Sequence, residues 1–188
     1  MKKLFIILTL PFCLIMGQDN AAQPEMPGWG VYVGGGLYTA SIDGIDADSV
    51  KSATLFPSFG ISKGVMVGGF PLLVGAGYHQ RGYLGETFLG DMTVSYNTLD
   101  AWAVVPYPVG PAVVQAGLIV GTFLNGKIDF AGIEMDNEEL PDGLDYGLML
   151  GLGYPVGPVN LNLGYALGLA DHDGGSFNGV FFNAGYGF

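Results

Sequence analysis

Five residues of this chain could do proton or ion chemistry together: His79, Arg81, Asp100, Lys127 and Asp145. An imidazole beside a carboxylate can pass a proton, and a guanidinium beside carboxylates makes short, strong ion pairs. If the segments carrying them close into a barrel, all five point into its interior, toward one end. The segments of Arg81 and Asp100 follow one another, which puts an Arg81–Asp100 pair within reach. Two readings follow. One is a proton or ion relay, or a gated conduit. The favoured one is a buried charge network that fills and stiffens the interior, because interior ions must be paired.

The other reactive residues carry less. His172 sits in Asp171-His172-Asp173, which reads as an exposed acidic loop, since metal ligation needs three or more converging donors. The run Glu134–Asp142 is rich in carboxylates but lacks the alternating spacing of a calcium loop. No metal or cofactor is expected. Hydrolase chemistry would need a nucleophile, a base and an orienting acid. His79 has no nearby Ser, and Ser95 has no obvious base, so no catalytic residue is assigned and an enzyme is not expected.

The elements that must position these residues are strands. Residues 101–126 and 146–170 carry no charge, and each is bisected by the same turn, Pro108-Val109-Gly110-Pro111 and Pro155-Val156-Gly157-Pro158. Pro-x-Gly-Pro breaks a helix. Without the turn, each half is about 10–11 residues, the length of a tilted membrane-crossing strand. Alternation agrees: Val159, Leu161, Leu163, Tyr165, Leu167 and Leu169 interleave with Asn160, Asn162, Gly164, Ala166 and Gly168. That is a period of two with large apolar residues on one face. A third uncharged run, residues 64–80, bends near Gly69-Phe70-Pro71.

Residues 1–17 read as a secretory signal peptide, with Lys2 and Lys3, the apolar stretch Leu4–Met16 and Gly17. Residues 18–29 are a short periplasmic segment and 30–188 the barrel domain. Cys13, the single cysteine, falls in the signal, so the exported part has no thiol chemistry. The net charge of −11 becomes −13 without Lys2 and Lys3. Such acidity excludes nucleic acid as a partner. Exported, apolar and β-patterned, the chain is expected in the Gram-negative outer membrane, where a closed barrel satisfies every backbone group.

The strands are expected at 30–41, 53–67, 71–83, 92–107, 112–129, 144–156, 159–170 and 177–188. The fold class is all-β, an eight-stranded antiparallel up-and-down transmembrane barrel. Charged segments 42–52, 84–91, 131–143 and 170–176 are its longer outward loops. Inside, Gly34, Gly36, Gly75, Gly77, Gly117, Gly121, Gly151 and Gly153 stand beside Tyr32, Tyr38, Trp102 and Phe123, a narrow lumen packed small against large. The expectation is a plug, not a pore. Trp29, Tyr78, Tyr107, Tyr154, Tyr165 and Tyr186 read as interfacial girdles. The last residues alternate up to Phe188, similar to the C-terminal signal read by the barrel assembly machinery.

Three stretches resemble the PorT-like outer-membrane β-barrel domain family. Leu72–Gly82, LLVGAGYHQRG, is similar to its third strand. Leu99–Leu124 resembles its strand with an acidic residue after Leu, here Asp100, followed by a turn and a Gly-rich strand. Leu144–Leu169, with the terminal GYGF, resembles its closing strands. Ala166 after Gly164-Tyr165, and Trp102 where the family often has Pro, depart from it. The resemblance implies no catalytic residues, and one branch of the family belongs to a protein-secretion apparatus. The sequence thus points to a non-enzymatic barrel with a structural or adhesive role. Its expected partners are membrane lipid, lipopolysaccharide and an envelope protein. A narrow solute channel, a secretion subunit and a lipid A-modifying enzyme are the alternatives.

Overall fold

Alternating large apolar and small residues, punctuated by glycine turns, leave each strand one face that water will not wet and one too small to cover it. Closure into a ring resolves both problems. The computed structural model describes residues 28–44, 49–87, 90–172 and 175–188. Its strands are β1 (Trp29–Ile42), β2 (Val50–Lys51), β3 (Ala53–Val67), β4 (Phe70–Thr87), β5 (Gly90–Val109), β6 (Ala112–Phe130), β7 (Ile133–Asn137), β8 (Leu144–Val156), β9 (Val159–Gly168) and β10 (Gly175–Gly187). Eight of them form an antiparallel ring in the order β1-β3-β4-β5-β6-β8-β9-β10, and β10 pairs back onto β1. Trp29 and Phe188 exchange both backbone bonds, at 3.0 and 2.8 Å, and seal the ends of that seam. The expected signal peptide lies outside the described residues.

The short turns sit at one end. Gly110 and Gly157 have φ of 59° and 60°, and each precedes a proline. Positive φ at the first central residue and negative φ at the second make a type II′ hairpin turn. Pro108 and Pro155 still belong to their strands, so these turns are tighter than the tetrapeptide suggested. The first turn is Gly68-Gly69, one residue earlier than expected, because glycines accept the positive φ that Phe70 would not.

The other end differs from expectation more. Residues 84–91, 131–143 and 42–52 read as loops because they are charged, yet strands run through much of them. The β4–β5 ladder continues to Thr87↔Gly90, β7 folds back on β6, and β2 adds to β4. Above a bilayer, charge on a strand carries no desolvation cost, and an ion pair between Lys51 and Glu86 and another between Lys127 and Glu134 tie β2 and β7 down.

Burial is inverted relative to a water-soluble protein. Leu118, Leu150 and Leu163 are 57–60% exposed, while Asp100, Asp145 and Arg81 are 2–6% exposed. An apolar belt around a charged interior is a lipid-facing surface. Trp29 closes the belt at the turn end, with the Lys63 amine 4.7 Å above its ring, and Tyr154 and Tyr186 are exposed near the same end. Leu163→Arg is therefore expected to destabilise the folded barrel in lipid vesicles by about 2–4 kcal/mol, read from denaturant unfolding. In a water-soluble protein the same exposed position would be within about 0.5 kcal/mol of neutral.

Candidate functional site: a charged closure inside the barrel

The register builds the site before any side chain is considered. Gly77 pairs with Asp100, Asp100 with Gly121 and Gly121 with Asp145. The two aspartates thus flank one glycine, two strand spacings or about 10 Å apart. A Cβ on Gly121 would collide with the Asp100 carboxylate; glycine keeps the floor between the acids open. Into that gap comes the only arginine of the chain. Arg81 Nη1 donates to Asp100 Oδ1 and Oδ2 at 3.1 and 2.9 Å and to Thr98 Oγ1 at 2.6 Å, while Nε lies 2.5 Å from Asp145 Oδ2. The Thr98 hydroxyl donates in turn to the His79 carbonyl at 3.3 Å.

A histidine extends each side. His79 Nδ1 is 2.7 Å from Asp100 Oδ2, and its Nε2 is 3.1 Å from the Tyr32 hydroxyl. That hydroxyl also receives the Trp102 indole N–H at 3.4 Å. His172 Nε2 is 3.2 Å from Asp145 Oδ1, and its Nδ1 is 3.0 Å from the Asp142 carbonyl. Tyr32 can donate to His79, so that ring is satisfied when neutral. Both nitrogens of His172 face acceptors, so only the ring carrying both protons donates to both.

Of the five residues singled out from the sequence, the structure brings together His79, Arg81, Asp100 and Asp145. Lys127 is a correction: its amine meets Glu134 at 2.8 Å on an exposed ladder. Asn97 pairs with Asn125 and Thr98 with Phe123, which leaves Leu124 unpaired in a bulge. One extra residue reverses which positions face inward, so Lys127 turns out. His172 is the residue that sequence reasoning missed. Its side chain is only 5% exposed, packed edge-on to Phe123 at 5.1 Å. The aspartates on both sides of it suggested solvent, and no local pattern signals the contact with Asp145.

The lumen is not uniform. Toward the loops it is filled: Phe123, Phe177 and Ala40 pack with Ile42, Tyr83 and Tyr96, and Tyr38 packs with Ala53 and Leu55. Toward the turns it is hollow, a cavity of about 400 Å³ that runs from His79, Arg81 and Tyr38 to a rim of Gly30, Pro106, Pro155 and Gly187. The expected plug occupies one half of the barrel only.

In chemical terms, Tyr32, His79 and Asp100 place hydroxyl, imidazole and carboxylate in series, but the surrounding strand amides are committed to ladder bonds and offer no donor pair for an oxyanion. The position a cation would take between Asp100 and Asp145 is filled by the guanidinium. Among the described residues no three His, Cys, Asp or Glu side chains converge on a metal position.

A closed antiparallel ring with an apolar belt and a charged interior is an outer-membrane β-barrel, and the outer membrane is where the chain resides. A solved barrel agrees in fold. Neisserial surface protein A (NspA) is similar over 87% of this chain and 99% of its own, with a TM-score of 0.57 and 16% identity. Ail, the attachment invasion locus protein of Yersinia pestis, covers 87% of this chain and 100% of its own at TM-score 0.46 and 15% identity. The N-terminal β-barrel domain of Pseudomonas aeruginosa OprF does so at 0.40 and 11%. No protein-family model matches the chain, and no curated protein matches it.

Removal of one partner from a buried ion cluster leaves an uncompensated charge, which costs about 3–5 kcal/mol. Arg81→Met is expected to lower the unfolding free energy in vesicles by that much. Adding Asp100→Asn and Asp145→Asn to it removes the stranded charges, so the triple variant should be more stable than Arg81→Met alone. A triple variant at or below the single one would show that the cluster is not an ion network.

Proposed function

We propose that this chain is a non-enzymatic, non-conducting outer-membrane barrel whose outward hairpins form an interaction or adhesion surface. The single observation that carries this reading is the closure: the ion network, backed by the Phe123–Phe177 cluster, leaves the loop half of the lumen without a passage. Work is then left to the surface above the membrane. There β7 and the ends of β4, β5 and β6 are ordered strands that carry Glu86, Asp91, Asp129, Glu134 and Asp136, and Glu138 and Glu139 follow directly after β7. Ile133 and Met135 stand exposed among these acids. Such a surface suits a basic protein partner, or divalent cations that bridge to lipopolysaccharide phosphates. Membership of the PorT-like barrels belongs to this proposal as well, carried by the Leu72–Gly82 and Leu144–Leu169 stretches.

A narrow channel is the second reading, favoured by the hollow turn-side half. Planar bilayers separate the two. The wild-type barrel is expected to give no steady conductance, whereas Phe123→Ala with Phe177→Ala, which hollows the seal, is expected to leak. Steady wild-type conductance would replace the closed reading by the channel. For the surface role, vesicles carrying the barrel are expected to adhere to polylysine-coated beads. Converting Glu134, Asp136, Glu138 and Glu139 to their amides should reduce that adhesion several-fold, and unchanged adhesion would count against the surface.

A further inference from the structure

We propose that the turn-side half of the lumen is a binding chamber for a small amphipathic molecule that is uncharged or singly cationic and carries a hydroxyl or amine. The cavity of about 400 Å³ lies in the range of sites that enclose small ligands. Its wall has two sectors. Leu73, Trp102, Val104, Val113 and Met149, on β4, β5, β6 and β8, give a mainly apolar side, interrupted by Gln115. Ser58, Ser62, Asn160, Asn162 and Asn183, on β3, β9 and β10, give a mainly polar side without charge, with Phe181 among them. A ligand with one apolar and one hydrogen-bonding flank matches that division, because each buried polar group needs a partner.

The closed end sets the charge preference. Arg81 is the one cation at the cavity, and its Nε and Nη1 are taken by Asp145, Asp100 and Thr98. Two carboxylates set against one guanidinium leave an anion no net attraction there. The accessible groups are the Tyr32 hydroxyl, the His79 ring and the Trp102 indole edge. With His79 Nδ1–H on Asp100 and Tyr32 O–H on His79 Nε2, the phenol oxygen takes Trp102 N–H and keeps an accepting lone pair. A ligand hydroxyl or ammonium can donate there, and the two nearby carboxylates favour positive over negative charge. A carboxylate or phosphate would meet that lone pair and a local excess of negative charge.

Trp102 lines the chamber and the chain's other tryptophan, Trp29, lies on the outer face, so Trp29→Phe turns Trp102 into a single reporter. In nanodiscs at pH 8, benzyl alcohol and benzylamine are expected to change Trp102 emission saturably. Phenylacetate should require at least about tenfold more, since like-charge juxtaposition costs more than the 1.4 kcal/mol of one decade. Gly185→Leu fills the chamber: a Cβ there meets only ordinary contacts, the nearest at 3.5 Å from the Val31 carbonyl. It is expected to abolish the saturable response while the barrel keeps its heat-resistant mobility on gels; Ser62→Leu serves the same purpose should Gly185→Leu not insert. Equal response to phenylacetate, a response that survives filling, or no saturable response to any of the three probes would each overturn the proposal. None of these outcomes bears on the surface role, which bilayer conductance and bead adhesion test separately.

Discussion

One guanidinium held between two carboxylates, across a residue with no side chain, closes this barrel. Lipid demands a ring, since any open edge would strand backbone donors and acceptors in hydrocarbon. A ring of eight strands leaves an interior that side chains must fill. Gly121 is the condition for the filling chosen here: any larger residue would push Asp100 out of the plane where it meets Arg81. The ladder places the acids, the glycine opens the floor, and the arginine makes two buried negative charges tolerable.

The same cluster divides the lumen into a filled half and a hollow one. On the loop side the Tyr96 ring packs edge to face with Phe123 and Phe177, each at 5.7 Å, and those two rings meet tilted at 6.0 Å. That fills space with apolar matter and without polar debt. On the turn side, glycines on β1, β8 and β10 and short amides on β9 and β10 leave the space empty. Tyr32 and Trp102 mark the border: the Tyr32 hydroxyl lies so close to Gly60 and Gly77 that neither could carry a Cβ in place. Closure and chamber are consequences of where the ring places large and small residues along the same strands.

Much of this was legible in the sequence. The uncharged runs around Pro-Val-Gly-Pro, and alternation such as Leu161, Leu163, Tyr165 and Leu167, located the ring strands to within a few residues, because a lipid-facing strand tolerates neither charge nor a broken period. Arg81 and Asp100 could be paired because consecutive strands are neighbours. Three features were hidden. The Leu124 bulge leaves no compositional trace, yet it reverses the direction of Lys127. The hairpin projections carry the acids that mark loops elsewhere, and strand pairing above the membrane has no need of apolar residues. His172 reaches Asp145 from 27 positions away in the chain, a contact that topology alone creates.

His172 also joins the closure to the loop end. Its Nε2 faces the Asp145 carboxylate and its Nδ1 the Asp142 carbonyl, while Phe123 packs against the ring edge-on. One side chain therefore touches the charged layer, the aromatic seal and the loop backbone. Arg81 bridges Asp100 and Asp145 from between them, and each acid also meets a histidine, His79 on one side and His172 on the other. Shared partners on both acids are what let two carboxylates persist in a low-dielectric lumen, where an unmatched charge would cost several kcal/mol.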